Sequence, residues 1–306
     1  MNISILYGGK SAEYKVSIQT GLAIAGAIKD RYSLDMINLN TEIYNAPQLL
    51  LGADLVFNAL HGGDGENGNV QAFLDLHHVP YTGSGAKACK IAMDKNITKL
   101  IAKSINIPTP NWILLRKNKH TGIKLQDNLS SKFSYPYIVK PCNEGSTFGL
   151  SIVNEESELE DAISIAAEFD DEIIIEEFIP GRELTVGIIG NKPLPIVEIN
   201  PSHDYYDYEC KYTEGMSEYI VPAKLLDSME RSLSEDALKL YQTIGCRHYA
   251  RADFRLNDKG EYYLLEMNTL PGMTSTSLLP KAAKSAGLEF PELIDTIIKL
   301  ANMDKK

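Results

Sequence analysis

Twice near its amino end the chain runs from an apolar stretch into a cluster of glycines and then into helical periodicity. Residues 3 to 7 read as a buried strand, Gly8-Gly9 as a turn and Val16 to Ile28 as a helix. Asp54 to Leu60 read as another strand, "HGGDGENG" as its turn and "NVQAFLDLHH" as its helix. Parallel neighbours need a long crossover, usually a helix, so this order predicts a parallel sheet with a crevice at its strand ends. His61 stands at one such end, where it reads either as a ligand contact or as a histidine capping its own turn.

Length and charge narrow what the rest can be. At 306 residues the chain suits two or three domains. A formal net charge of -11 argues against nucleic acid as a partner, since affinity there comes from clustered Lys and Arg. Cys89, Cys142, Cys210 and Cys246 lie far apart with no C-x-x-C pair, so reduced thiols in a cytoplasmic protein are expected. The first residues lack the apolar core of a secretory signal, and no stretch approaches the roughly 20 apolar residues of a membrane span. "GGKS" resembles the end of a phosphate-binding P-loop, but the glycine required five positions before Gly9 is Ser4, so that motif fails.

Further along, residues 93 to 105 read as a helix, and Pro108 and Pro110 precede a strand in "NWILL". "YPYIVKPCNEGSTFGLSIV" reads as strand, loop, strand, "ESELEDAISIAAEF" as a helix, and "EIIIEEFIPG" as a strand. Strands near 184 to 199, a polar aromatic loop at 200 to 218, a helix from Ser228 to Ile244, a hairpin and a final helix complete the chain. The expected units are 1–90, 91–185 and 186–306.

The hairpin carries the densest chemistry. In "RADFRL" Arg251, Asp253 and Arg255 share one face, and in the returning "EYYLLEMN" Glu266 and Asn268 share another. Paired across the turn at residues 257 to 260, Asp253, Glu266 and Asn268 converge as hard oxygen donors of the kind Mg²⁺ takes. An exposed hairpin laced with salt bridges accounts for these residues equally well. The adjacent "PGMTSTS" adds a glycine turn whose N–H groups and hydroxyls suit an anion. The loop 143 to 149, "NEGSTFG", is a second candidate phosphate cover, with Lys140 and Lys95 in reach of the same anion. Tyr205, Tyr206, Tyr208, Lys211 and Tyr212 crowd one loop, which reads as an interface patch or as a lid that excludes water.

In order, the segments "LYGGKSAEYKVS", "ALHGGDGENG", "PYTGSG", "MDK", "VKPCNEGSTFG", "EEFIPGRE", "YDYECKY", "RADF" and "LLEMNTLPGMTSTSLLP" closely resemble the D-alanine–D-alanine ligases of the ATP-grasp superfamily. The resemblance spans almost the whole chain. It implies an α/β (α+β) fold of three domains, an N-terminal parallel-sheet domain followed by two that grip ATP. The implied reaction joins two D-alanines through an acyl phosphate, releasing ADP and phosphate, for peptidoglycan. Relatives that join D-alanine to D-lactate or D-serine, and a nucleotide binder without ligase activity, are the alternatives.

Carried over residue by residue, the resemblance makes Asp253, Glu266 and Asn268 ligands of two Mg²⁺ ions, with Mn²⁺ able to replace them. It places Lys95 and Lys140 on ATP phosphates, Glu176, Glu177, Phe178 and Ile179 at the adenine, and Glu183 at the ribose. Glu13 takes the ammonium of the first D-alanine with His61 close by, and Arg251 with the N–H of Gly272 forms the oxyanion site. Ser277 and Leu278 hold the second carboxylate, Ser146 and Tyr212 join Glu13 in closing the lid, and Lys211 approaches the transferred phosphate. A homodimer is implied too. Three positions depart from the common pattern: Tyr14-Lys15 after Glu13, Thr147-Phe148 after Ser146, and Glu177 where some members carry Lys.

Overall fold

The computed structural model describes residues 1–40, 52–116, 129, 134–203, 210, 213 and 215–304. The parallel unit expected at the amino end forms. Strand β1 (Asn2–Gly8) runs parallel to β2 (Ser33–Leu39) on one side and to β3 (Leu55–Asn58) on the other, with helix α1 (Tyr14–Ile28) as crossover. Both faces are covered, which is why β1 and β3 read as continuous apolar runs. Ile3, Ile5 and Phe57 pack with Ile24 and Ile28 of α1, while Leu6 and Val56 pack on the opposite face with Val70 and Leu74 of α2 (Asn69–Leu76).

A second sheet has strands β4 (Trp112–Arg116), β5 (Tyr137–Pro141), β6 (Ser151–Val153) and β7 (Glu172–Glu177), in the antiparallel order β4-β7-β5-β6. Helix α5 (Leu159–Ala166) covers one face through Leu159, Ala162 and Ala166. The third sheet has β8 (Arg182–Ile189), β9 (Lys192–Pro193), β10 (Val197–Pro201), β11 (Ser217–Ile220), β12 (Tyr249–Leu256) and β13 (Tyr262–Asn268). Its order is β11-β10-β8-β12-β13, with β9 on β8. Helices α3 (Ala86–Met93), α4 (Lys95–Ser104) and α6 (Asp227–Ile244) bury Ala92, Ala102 and Leu240 against its Val186, Ala252 and Phe254.

The helix expected over 93 to 105 forms as α4, and a helix that was not expected, α3, precedes it and ends at Asp94. Its extended backbone ends α3, and its carboxylate caps α4 by accepting from the Ile97 N–H at 2.8 Å. The loop after β13 leads into a helix that the sequence reading did not anticipate, α7 (Leu278–Ser285). Pro280 falls in its first turn, where a missing N–H costs nothing. Helix α8 (Phe290–Met303) opens with a capping box of Glu289 and Glu292 and buries Ile294, Ile297 and Ile298 in the same core as Ile3 and Ile5.

Two details shape the cleft between the second and third sheets. The connection from β7 to β8 is tight, and Gly181 sits at φ 122° where a Cβ would lie 2.2 Å from the Leu256 carbonyl oxygen. In the hairpin, Asp253 pairs with Glu266, but Phe254 pairs with Leu264, so Leu265 is an extra residue. This bulge turns Leu265 and Glu266 to the cleft together, and leaves Leu264 and Met267 buried behind. All four cysteines are free and buried, and no helix among the described residues is long and apolar enough to cross a membrane.

Candidate active site

Two cavities meet in the middle of the molecule. The first lies between the parallel sheet and the third sheet and is lined by Glu13, His61, Asn268, Gly272, Ser277 and Leu278. The second lies between the two antiparallel sheets and is lined by Lys140, Glu176, Glu177, Phe178, Ile179, Glu183 and Asp253. Lys95, Ser146, Arg251 and Glu266 line both, so they form the wall where the cavities join. Lys211 and Tyr212, with Tyr205, Tyr206 and Tyr208, lie outside the described residues.

At the joint, charges of both signs are interleaved. Arg251 binds Asp253 with two parallel hydrogen bonds of 2.8 Å, and the Thr185 hydroxyl donates to the same carboxylate at 2.5 Å. Lys95 stands 3.4 Å from Glu266 and donates to the Glu144 carbonyl oxygen at 2.5 Å. The Asn268 side-chain oxygen accepts from the Leu270 N–H at 2.8 Å. Two carboxylates opposite one another with an amide oxygen two residues on make a hard-oxygen donor set, and such a set fits Mg²⁺ or Mn²⁺.

A second acidic group does not. Asp94, Cys142 and Glu172 offer ligand atoms within 4.8 Å of one another. Burial raises the Cys142 thiol to about 12, so it stays protonated and donates to Asp94 at 3.4 Å, while Glu172 pairs with Arg116 at 2.7 Å. That is a hydrogen-bonded corner, because a thiol binds metal only as thiolate.

In the first cavity the buried Glu13 accepts from the Ser146 hydroxyl, which reaches across from the loop between β5 and β6. Gly62, at φ 66°, leaves room for that carboxylate, since a Cβ there would lie 2.5 Å from Glu13 Oε2. Ser146 and Thr147 also adopt positive φ, of 49° and 66°, a conformation that side chains resist and that clusters at ligand-binding loops. Phe148, where the common pattern is smaller, stacks on Phe169 with ring centroids 6.1 Å apart. His61 is buried, its Nε2 3.0 Å from the Thr20 hydroxyl and its Nδ1 3.4 Å from Glu66. Ser277 is the N-cap of α7, and its hydroxyl accepts from the Thr274 N–H at 3.1 Å. The positive end of a helix therefore points at this cavity, a seat for an anion.

In the second cavity Glu176 is buried between Lys140 and Lys99, whose Nζ is 2.8 Å away. Burial alone would raise the Glu176 carboxyl, but the two ammonium groups outweigh it and hold it down to about 2. Glu177 accepts from the Asn111 side-chain amide at 3.2 Å. Arg255 donates to the Ile179 carbonyl oxygen at 3.0 Å and lies 3.3 Å from Glu183. Sequence reasoning did not single out Lys99, Thr185 or Glu66, and it placed Arg255 on the hairpin face without a role. Lys99 had a signal, since it follows Lys95 by four residues on one helical face.

A cleft between two antiparallel sheets, lysines from both sides and acidic strand residues at its floor define an ATP-grasp enzyme. Comparison with known proteins narrows the class. The family "D-ala D-ala ligase C-terminus" matches residues 101–299, and "D-ala D-ala ligase N-terminus" matches residues 38–84. The D-alanine–D-alanine ligase of Syntrophotalea carbinolica is 42% identical over 304 residues, 99% of this chain and 97% of that protein. That of Aquifex aeolicus is 40% identical over 300 residues, 97% and 100%. Among solved structures, the D-alanine–D-alanine ligase of Bacillus anthracis complexed with ATP superposes with a TM-score of 0.88 at 34% identity, covering 100% of this chain and 98% of the other. The VanG D-Ala:D-Ser ligase of Enterococcus faecalis gives 0.85 at 27% identity, covering 98% and 99%. The chain belongs to the D-alanine–D-alanine ligase family.

Proposed function

We propose that this protein joins two molecules of D-alanine into D-alanyl-D-alanine at the expense of ATP, releasing ADP and phosphate, as a step toward peptidoglycan. The observation that carries the proposal is the shared wall of the two cavities, where Lys95, Arg251 and Glu266 face both. A nucleotide in one cavity and an amino acid in the other would present the γ-phosphate and a carboxylate to each other across that wall.

In the first step a carboxylate oxygen of one D-alanine attacks the γ-phosphorus and ADP leaves. Glu13 orients that substrate through its ammonium, with His61 beside it, and Lys95 and Lys140 offset phosphate charge. In the second step the amine of the other D-alanine attacks the acyl carbon, and phosphate leaves from a tetrahedral intermediate. Arg251 and the Gly272 N–H stabilise the oxyanion, and Ser277 with the N–H of Leu278 at the start of α7 holds the incoming carboxylate. Glu176 to Ile179 receive the adenine and Glu183 the ribose. Asp253, Glu266 and Asn268 would hold two Mg²⁺ ions, which when bound supply charge neutralisation at the phosphates.

A cytoplasmic homodimer and three working units divided near residues 90 and 185 belong to the same proposal. The burial of Ala92, Ala102 and Ile107 in the core of the third sheet favours counting residues 91–107 with the third unit rather than with the second.

Product analysis by mass spectrometry tests the reading, with ATP, Mg²⁺ and D-alanine alone, or with D-serine or D-lactate added. ADP with D-alanyl-D-alanine is expected. A mixed product only would shift the second substrate, and no ADP in any mixture would end the ligase reading.

A further inference from the structure

Helix α4 presents two lysines one turn apart with opposite surroundings. Lys95 opens onto both cavities, whereas Lys99 is 0% exposed and stands behind the wall of the nucleotide cavity. Its ammonium donates to the Thr109 hydroxyl at 2.8 Å and to the Pro110 carbonyl oxygen at 3.5 Å, and it is ion-paired with Glu176 Oε2 at 2.8 Å. Burial lowers its ammonium to about 8, against the opposing pull of Glu176. Such a burial is costly and would strongly destabilise the fold if unpaired.

The partners lie on different bodies. Thr109 donates to the Leu264 carbonyl oxygen of β13 at 2.8 Å, so the anchor of Lys99 is tied to the third sheet. Glu176 belongs to β7 of the second sheet, and its other oxygen, Oε1, accepts from Lys140 of β5. One cation on each oxygen fixes the plane of the carboxylate and keeps it ionised. An ionised carboxylate only accepts, so whatever faces it from the cavity must donate.

We infer that Lys99 is a positioning residue for the base end of the nucleotide cavity, holding Glu176 as a fixed acceptor that selects a purine bearing an exocyclic amino group. The inference rests on the reading of this cavity as the ATP site. Inosine triphosphate is the informative probe, because it replaces that amino group with a carbonyl oxygen and leaves ribose and phosphates unchanged.

The test is steady-state kinetics of the full-length protein with ATP and with inosine triphosphate, for the wild type, Lys99→Met and Thr109→Val. The wild type should favour ATP. Lys99→Met should lower the ratio of the two kcat/KM values by about tenfold or more, through the KM for ATP, with kcat changing by less than about threefold. Thr109→Val is the milder change, since it keeps both charges and removes only the anchor of Lys99, and it should lower the ratio by about threefold. A loss that falls equally on both nucleotides, or an unchanged ratio in whichever variant folds, overturns the inference while the ligase reading stands. A wild type that makes ADP from neither nucleotide overturns both.

Discussion

Arg251 and Asp253, two residues apart on β12, are joined side by side by two 2.8 Å hydrogen bonds. The residue assigned to the oxyanion thus shares a carboxylate with the residue assigned to the metal. Charge on one side of the reaction is set by what occupies the other.

Arg251→Ala should therefore lower kcat by roughly 100-fold, the size expected when a preorganised oxyanion donor is lost. The KM for ATP should move far less, by under about fivefold if the guanidinium acts mainly in the transition state. Initial-rate kinetics over a matrix of both substrates would check this, and a parallel loss of ATP affinity would refute the oxyanion role.

Removing divalent metal should stop ADP release and leave the fold standing. Asp253 and Glu266 already have cation partners in Arg251 and Lys95, so they are not left as bare repelling charges. With EDTA the thermal midpoint should shift by less than about 2 °C, measured by circular dichroism, while activity returns on adding Mg²⁺. A collapse of the fold on chelation would mean that the metal is structural.

Gly62→Ala places a Cβ 2.5 Å from Glu13 Oε2 at a backbone φ of 66°. Displacing that carboxylate by about an ångström should cost on the order of 100-fold in kcat/KM for D-alanine. The effect on ATP binding, followed by calorimetry, should be small, and an unaffected kcat/KM would remove Glu13 from the substrate site.

Acid should find Glu176. Its folded carboxyl is held below the ordinary value of 4.5, to about 2, so the stability it contributes is full above about pH 4.5 and is lost as pH falls toward 2. The linkage is on the order of 3 kcal/mol. Urea titrations between pH 6 and 3 should show Glu176→Gln losing less stability on acidification than the wild type. Equal losses would assign the acid sensitivity elsewhere.

Much of this was legible in the sequence because the relevant signals are local. The two strand–glycine–helix passages gave the parallel sheet, and period-two alternation brought Asp253, Glu266 and Asn268 within reach of one another on the hairpin. What stayed hidden depends on contacts between distant segments. The bulge at Leu265 leaves no mark in a run of apolar and tyrosine residues, yet it decides that Glu266 faces the cleft. Helix α7 was obscured by Pro280, which reads as a breaker unless its place in the first turn is known. Lys99 shares a helical face with Lys95, but nothing local marks its burial, because its partners come from residues 109, 110 and 176.

The docking of α8 beneath β1 has a consequence for folding. Ile3 and Ile5 share their core with Ile24 and Ile28 of α1, but also with Ile294, Ile297 and Ile298, nearly three hundred positions later. Helix α1 covers part of this face from nearby in the sequence, but the rest of it stays open until a segment far along the chain has docked. A chain cut short before α8 would expose that apolar face, and quality control would meet it as an unfinished protein.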